Sequence, residues 1–184
     1  MNASLNPASA SADLDSTTHG YRLSHTMLRI KDPRISLPFY QSVLGLVLVK
    51  QVDYPEWKFS LYFLADRMTA KSMPPEAAAV SSWMFEQTGM LELTHNWGTE
   101  ADETMRIHDG NTPPQGFGHI CVAVPDIAAA CGRFDRLGVS FHKRLGEGGM
   151  RDIAFIKDPD GYRYEIVEAS FAPALLRDVC RPRS

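Results

Sequence analysis

The sequence predicts an α+β fold made of two tandem β-α-β-β-β modules. Each half of the chain contains a histidine where a strand-like run begins, His25 and His119. Each half also ends in a strand-like run that carries a glutamate, Glu92 and Glu165. One helix pattern per half lies between the strand patterns, and the residues that begin and end it are of the same type in both halves. We therefore interpret the chain as a duplication, and we expect the paired modules to form an open β-barrel.

The strand patterns are short runs rich in β-branched and aromatic residues, bounded by turn residues. In the first half they occupy 26–30, 46–52, 58–64 and 90–94, and in the second half 120–124, 139–143, 153–157 and 164–168.

The two helix patterns share their caps. Asp32 and Asp126 can each accept hydrogen bonds from the free N–H groups of a first turn. Gly45 and Gly138 stand where a left-handed residue often ends a helix. Pro38 predicts a bend, since it lacks a backbone donor. Apolar residues recur at helical spacing at positions 35, 39, 43, 127, 131 and 134.

The spacing of the repeat predicts the domain organisation. We expect a first module over 21–112 and a second over 113–170. The first histidine-to-glutamate spacing is longer by roughly 21 residues, and a segment rich in Ala, Ser, Met and Pro, about 67–89, is the predicted insertion. Residues 1–20 are predicted to be a flexible arm, and 171–184 a C-terminal tail.

Composition narrows the functional class. With 184 residues, 44% of them hydrophobic, the chain can bury a real core. A net charge of −3 gives no field that recruits nucleic acid or an anionic membrane. We expect neither a secretory signal nor a membrane-spanning segment, and three scattered cysteines fit a reducing compartment. We expect a soluble cytoplasmic protein with a small-molecule ligand.

The repeated histidines and glutamates predict a metal site. Glu92 and Glu165 each lie between apolar residues on a strand, where an acid is costly unless it faces a cation. Because duplicated modules superpose, we expect the two glutamates to converge with His25 and His119. Two imidazoles and two carboxylates suit zinc, nickel, cobalt or manganese. The other histidines lack such repetition and are predicted to be structural or at the surface: His19, His95, His108 and His142.

Several segments make the chain resemble a known family. The duplicated modules are similar to the vicinal oxygen chelate superfamily, and the segments resemble its glyoxalase I family. The resemblance covers about 21–167, and its most specific stretch is Leu-Glu-Leu-Thr-His-Asn-Trp-Gly-Thr-Glu at 91–100. The other matching stretches are 26–33, 58–65, 116–120 and 154–162.

The resemblance implies an activity. It implies isomerisation of the hemithioacetal of glutathione and methylglyoxal to S-lactoylglutathione, with glutathione as co-substrate. One divalent ion per site is implied, zinc first and nickel second, held by the four residues above. By family position Glu165 transfers the proton, and Glu92 is its symmetric counterpart.

The resemblance also implies binding residues and an assembly. Glutathione contacts map onto Arg29, Asn96, Lys143 and Met150, and the methyl pocket onto Phe59, Leu61 and Phe63. The implied assembly is a homodimer with each metal between subunits, where one chain contributes the first histidine–glutamate pair and its partner contributes the second.

Two departures and two alternatives remain. His25 stands where the long zinc enzymes commonly have Gln, and Gln115 stands where the family often has an Arg that contacts glutathione. An iron-dependent extradiol dioxygenase of the same fold is one alternative. A metal-free module that binds a small molecule without turnover is the other, and loss of the histidines and glutamates would be its mark.

Overall fold

The computed structural model describes residues 15–170. Eight strands are present: β1 (His25–Ile30), β2 (Val47–Tyr54), β3 (Phe59–Ala65), β4 (Met90–Asn96), β5 (Ile120–Val124), β6 (Phe141–Lys143), β7 (Ala154–Lys157) and β8 (Arg163–Glu168). The α-helices are α1 (Pro33–Pro38), α2 (Arg67–Ala70), α3 (Ala77–Glu86) and α4 (Ile127–Arg136). Short 3-10 turns occupy Ser16–Thr18 and Thr99–Ala101, and a π-helical turn occupies Phe39–Val43.

The strands form two four-stranded sheets with the same connectivity. The first has the order β1-β4-β3-β2 and the second β5-β8-β7-β6. In each sheet the first strand is parallel to the last, and the other neighbours are antiparallel. The predicted α+β fold of two β-α-β-β-β modules is therefore confirmed. Pairing among the described strands gives two separate sheets, so closure into a barrel is not seen within one chain.

One hydrophobic core joins the two modules. From the first sheet it takes the faces of β1 and β4 that carry Leu28, Ile30 and Leu93, and from the second the face of β8 that carries Tyr164 and Ile166. Because side chains alternate along a strand, the residues between these lie on the opposite face of each sheet. Each sheet therefore turns one face to the shared core and an opposite, open face away from it, and in the first sheet the inserted helix α3 covers part of that open face.

The first helix shows how the caps work and where the periodicity misleads. Asp32 accepts a hydrogen bond from the backbone N–H of Arg34, as predicted from the sequence. After Pro38 the chain changes to π-helical hydrogen bonding, in which Leu44 N donates to Phe39 O. A proline without an N–H explains this change of hydrogen bonding. The predicted apolar face is shifted, because Ile35 is exposed while Ser36 is buried.

A turn of the second module explains why Ser36 is buried. Residues 158–161 form the predicted turn, with Gly161 N donating to Asp158 O at 3.1 Å. Asp160 in this turn accepts hydrogen bonds from Ser36 Oγ and from the backbone N–H of Lys31, both at 2.9 Å. A polar helix residue can be buried here because the other module supplies its partner.

The buried side of the same turn holds an ionisable group. Asp158 Oδ2 accepts a hydrogen bond from Tyr40 OH at 2.5 Å, and Tyr164 OH donates to Tyr40 OH at 3.1 Å. Burial raises the pKa of Asp158 to about 6, even though its hydrogen bond with Tyr40 acts in the opposite direction. The contact between the modules therefore contains a carboxyl that titrates near neutral pH.

The predicted insertion is helical. Residues 67–89 contain α2 and α3, and α3 packs Met84 against Phe63 and Met90 on the open face of the first sheet. Residues 1–14 of the predicted arm and the whole predicted tail lie outside the described residues. The module boundaries at 112 and 113 stay predictions. Within 15–170, no helix is long and apolar enough to cross a membrane.

Candidate metal centre

The first histidine–glutamate pair lies on the open face of the first sheet. His25 begins β1 and Glu92 lies in the middle of the parallel strand β4. Their side chains meet, with His25 Nε2 at 3.1 Å from Glu92 Oε2. The imidazole packs edge-on against Phe63, with ring centroids 5.8 Å apart. Both side chains are partly exposed, at 28% and 14%, so a ligand can reach them.

The second pair repeats this arrangement. His119 precedes β5, and its Nε2 lies 3.3 Å from Oε2 of Glu165 in β8. Its ring packs edge-on against Phe155, with centroids 5.3 Å apart. Phe63 pairs with Glu92 across the strands, and Phe155 pairs with Glu165. The repeat therefore extends from the two polar residues to the aromatic ring that supports each histidine.

The geometry of each pair fits two neighbouring ligands of one metal ion. Zinc lies about 2.0–2.2 Å from imidazole nitrogen and carboxylate oxygen, which puts adjacent ligand atoms roughly 3 Å apart. The two observed separations, 3.1 and 3.3 Å, match that spacing. Nitrogen and oxygen donors also suit a divalent ion of borderline hardness. Each pair is thus a suitable half of a metal site.

The four predicted ligands do not meet within one chain. Among residues 15–170, no group of three or more His, Cys, Asp or Glu side chains is placed to hold a metal ion. Within one chain the four residues therefore form two separate pairs, and their convergence on one metal ion stays a prediction. The cause is the packing of the modules, which join through their core faces and leave each histidine–glutamate pair on a separate open face.

The predicted glutathione contacts lie in two places. Arg29 is on β1, on the same face as His25, and Asn96 ends β4 on that face. Lys143 and Met150 come together in the second module, where Lys143 Nζ donates to the Met150 carbonyl at 2.6 Å. A second bond at 2.6 Å runs to Ile153 O, which leaves one of the three ammonium donors for a ligand.

The predicted methyl pocket lies on the face of the first sheet that carries His25 and Glu92, which we call the metal face. Phe59, Leu61 and Phe63 are cross-strand partners of Asn96, Thr94 and Glu92, in that order. Sequence reasoning missed the two rings that stack on Phe59. Tyr54 lies 4.7 Å and Trp57 6.1 Å from its ring centroid. The only signal for them was their position at the two ends of a hairpin turn.

Other polar groups near the centre are mostly structural. His95 is buried, with Nε2 at 2.7 Å from Glu100 Oε2, which also accepts a hydrogen bond from Gly98 N. His108 accepts a hydrogen bond from the backbone N–H of Gly110. The remaining two histidines, His19 and His142, are exposed.

One cysteine lies beside the second pair. Cys121 is the cross-strand partner of Glu165 on β5. Burial, with a smaller contribution from the nearby Glu165 carboxylate, raises the pKa of the Cys121 thiol to about 11. The thiol is therefore protonated at neutral pH.

Comparison with known proteins identifies the family of the chain. The family model described as Glyoxalase/Bleomycin resistance protein/Dioxygenase superfamily matches residues 22–166. The chain belongs to this glyoxalase superfamily. The match extends over both sheets and includes all four residues of the two histidine–glutamate pairs.

Members of the glyoxalase superfamily with curated functions are close in sequence. The chain is 52% identical over 157 residues to lactoylglutathione lyase of Pseudomonas aeruginosa, covering 85% of this chain and 87% of that one. It is 42% identical over 151 residues to glyoxalase I of Saccharomyces cerevisiae, covering 80% of this chain and 43% of the yeast protein. The trypanothione-dependent glyoxalase I of Leishmania major has a similar structure, with a TM-score of 0.61 and 28% identity over 86% of this chain and 94% of that chain.

Proposed function

We propose that the chain is a lactoylglutathione lyase, which converts the hemithioacetal of methylglyoxal and glutathione to S-lactoylglutathione. The observation that carries the proposal is a complete histidine–glutamate pair in each module of a chain that is 52% identical to a curated lactoylglutathione lyase. The complete pairs also argue against the metal-free binding module, whose mark is loss of these residues.

His25, Glu92, His119 and Glu165 are the residues that would hold the metal. When bound, a divalent ion supplies a fixed positive charge beside the oxygens on which negative charge develops. Zinc is the proposed ion and nickel the alternative, since two imidazoles and two carboxylates accept both.

Two half-sites on one chain imply a partner for each. We propose a homodimer in which the first pair of one chain faces the second pair of its partner. A two-fold axis then produces two equivalent sites, each with two imidazoles and two carboxylates. The open face that carries each pair supports this proposal, because both pairs are accessible rather than covered by their own chain.

Glu165 is the proposed base. Its carboxylate takes the proton from the carbon that bears sulfur and returns it to the neighbouring carbon, while the charge between these steps rests on the two oxygens of an ene-diolate. Thr94 Oγ1 donates to Glu92 at 3.3 Å, whereas Val167 stands at the matching position beside Glu165. A valine cannot donate a hydrogen bond, so the two glutamates have different neighbours, and the polar group beside the Glu165 carboxylate is the Cys121 thiol.

Other residues bind the substrate. We propose that Arg29, Asn96, Lys143 and Met150 hold glutathione, since its two carboxylates suit cations. The row of Phe59, Leu61 and Phe63 provides apolar surface for the methyl group.

The free thiols of Cys121 and Cys131 fit a reducing compartment, and we propose the cytoplasm.

Turnover of a preformed substrate tests the proposal. Purified protein loaded with zinc or nickel is mixed with equilibrated methylglyoxal and glutathione, and the thioester product is followed by its ultraviolet absorbance. We expect thioester formation that depends on both glutathione and metal. Absence of product with either ion, in protein whose metal content has been measured, would refute the proposed activity.

A further inference from the structure

A cavity of about 410 Å³ lies along β1, where the segment that links the two modules passes it. This strand is the edge of its sheet. Two arginines line the cavity, Arg29 from β1 and Arg106 from the linking segment. The other lining residues are Met27, Leu28, Met105, Ile107, His108, Phe117 and Tyr162.

The cavity adjoins the metal face. Met27, which lines the cavity, is the cross-strand partner of Glu92. Arg29 lies two residues further along the same face of β1, about 7 Å away at the usual rise of a strand. Three extended residues span roughly 10 Å, so a tripeptide anchored at the metal face can reach this cavity.

The two arginines lack anionic partners. Among residues 15–170, neither Arg29 nor Arg106 forms an ion pair with a carboxylate. Nη1 of Arg106 donates to the carbonyls of Glu103 and Met105, at 2.6 and 2.8 Å, which fixes one end of its guanidinium. Both arginine residues are exposed. Two like charges that line one small cavity repel each other unless an anion lies between them.

We propose that Arg106 is a specificity-determining residue that, together with Arg29, holds one carboxylate of glutathione. This inference rests on the proposed function. A guanidinium presents donors in a planar fork that matches a carboxylate, and two such forks can share one carboxylate. Lys143, in the other module, remains available for the second carboxylate. Arg106 binds substrate in this proposal and takes no part in proton transfer.

The test compares an intact inhibitor with two inhibitors that each lack one of its carboxylates. The probes are S-hexylglutathione, its glycine ethyl ester, and S-hexylcysteinylglycine, which lacks the γ-glutamyl residue. Their inhibition constants are measured for the metal-loaded wild-type protein, for Arg106→Gln and for Arg136→Gln. Arg136 is an exposed arginine of α4 outside the cavity lining and serves as the charge-matched control.

We expect Arg106→Gln to weaken S-hexylglutathione roughly ten- to a hundredfold, the usual effect of losing a charge-assisted contact. One of the two truncated probes should bind wild type and Arg106→Gln equally, which identifies the carboxylate that Arg106 holds. KM should rise with little change in kcat, and Arg136→Gln should behave as wild type.

Three outcomes would overturn the proposal: unchanged S-hexylglutathione inhibition in Arg106→Gln, equal weakening of all three probes, or the same loss in Arg136→Gln. Failure of the proposed function is a different result, since wild-type protein would then neither bind S-hexylglutathione nor form product. Thermal unfolding of Arg106→Gln, measured beside wild type, distinguishes a lost contact from a lost fold.

Discussion

Lys50 and Lys143 occupy the same position in their modules. Each follows a register shift in its strand, and each pairs with the phenylalanine that supports a histidine, Phe63 or Phe155. Their ammonium groups have different partners. Lys143 donates to two carbonyls of a loop, whereas Lys50 Nζ donates to Ser81 Oγ of the inserted helix α3 at 2.5 Å. The insertion therefore gives the first lysine a side-chain partner that has no counterpart in the second module.

Removal of either histidine should abolish stoichiometric metal binding. Each imidazole is half of a pair whose two donor atoms are spaced as adjacent metal ligands. We expect His25→Ala and His119→Ala to lose most of their bound metal after dialysis, as measured by elemental analysis. His19→Ala, an exposed histidine outside both pairs, is the control. Full metal content in both ligand variants would show that the pairs are not the site.

Removal of the proposed base should stop turnover without emptying the site. Glu165→Gln keeps the shape of the side chain and removes its basicity. Loss of a general base commonly costs about a hundredfold or more, so we expect kcat to fall by at least that factor while metal is partly retained. Glu92→Gln should be less severe, since Glu92 is held by Thr94. Normal turnover in metal-loaded Glu165→Gln would assign the proton transfer to Glu92 instead.

The predicted anion contacts should affect binding more than chemistry. Arg29→Ala and Lys143→Ala each remove one charge-assisted contact, worth about 1.5–3 kcal/mol, so KM should rise roughly ten- to a hundredfold with kcat nearly unchanged. Lys71→Ala, an exposed lysine of the insertion, is the matched control. A fall in kcat at constant KM for Arg29→Ala would contradict its binding role.

The buried carboxyl between the modules should make stability depend on pH. Since burial raises the pKa of Asp158 to about 6 in the folded chain, from 3.8, the folded state favours the protonated acid. Its contribution is complete at acidic pH and is lost as pH rises through about 6. A pKa difference of about two corresponds to roughly 3 kcal/mol. We expect the free energy of unfolding to fall between about pH 4 and 7 more for wild type than for Asp158→Asn, as measured by urea titration. Parallel pH profiles would contradict this.

Local chemistry explains why so much of the fold could be predicted. Asp32 and Asp126 cap their helices, and Gly45 has the left-handed backbone that ends the first helical segment. These features depend only on neighbours in sequence. The alternation around Glu92 and Glu165 likewise predicted which strand face each acid occupies.

The rest depends on contacts between distant segments. Ser36 is buried because Asp160 of the other module accepts its hydrogen bond, and no helical periodicity contains that information. The separation of the two histidine–glutamate pairs has the same origin, since it follows from which sheet faces the modules bury. Arg106 has no counterpart in the sequence repeat, and it shares a cavity with Arg29 only because the linking segment folds against β1.

Mixed dimers test most directly whether two half-sites from different chains make one catalytic centre. His25→Ala and His119→Ala, each incomplete at every site as a homodimer, are expressed together with different tags and purified through both. In the mixed dimer one site lacks both histidines and the other is intact, so we predict one metal ion per dimer and about half of wild-type turnover. A doubly tagged dimer as inactive and metal-poor as its parents would contradict the shared site.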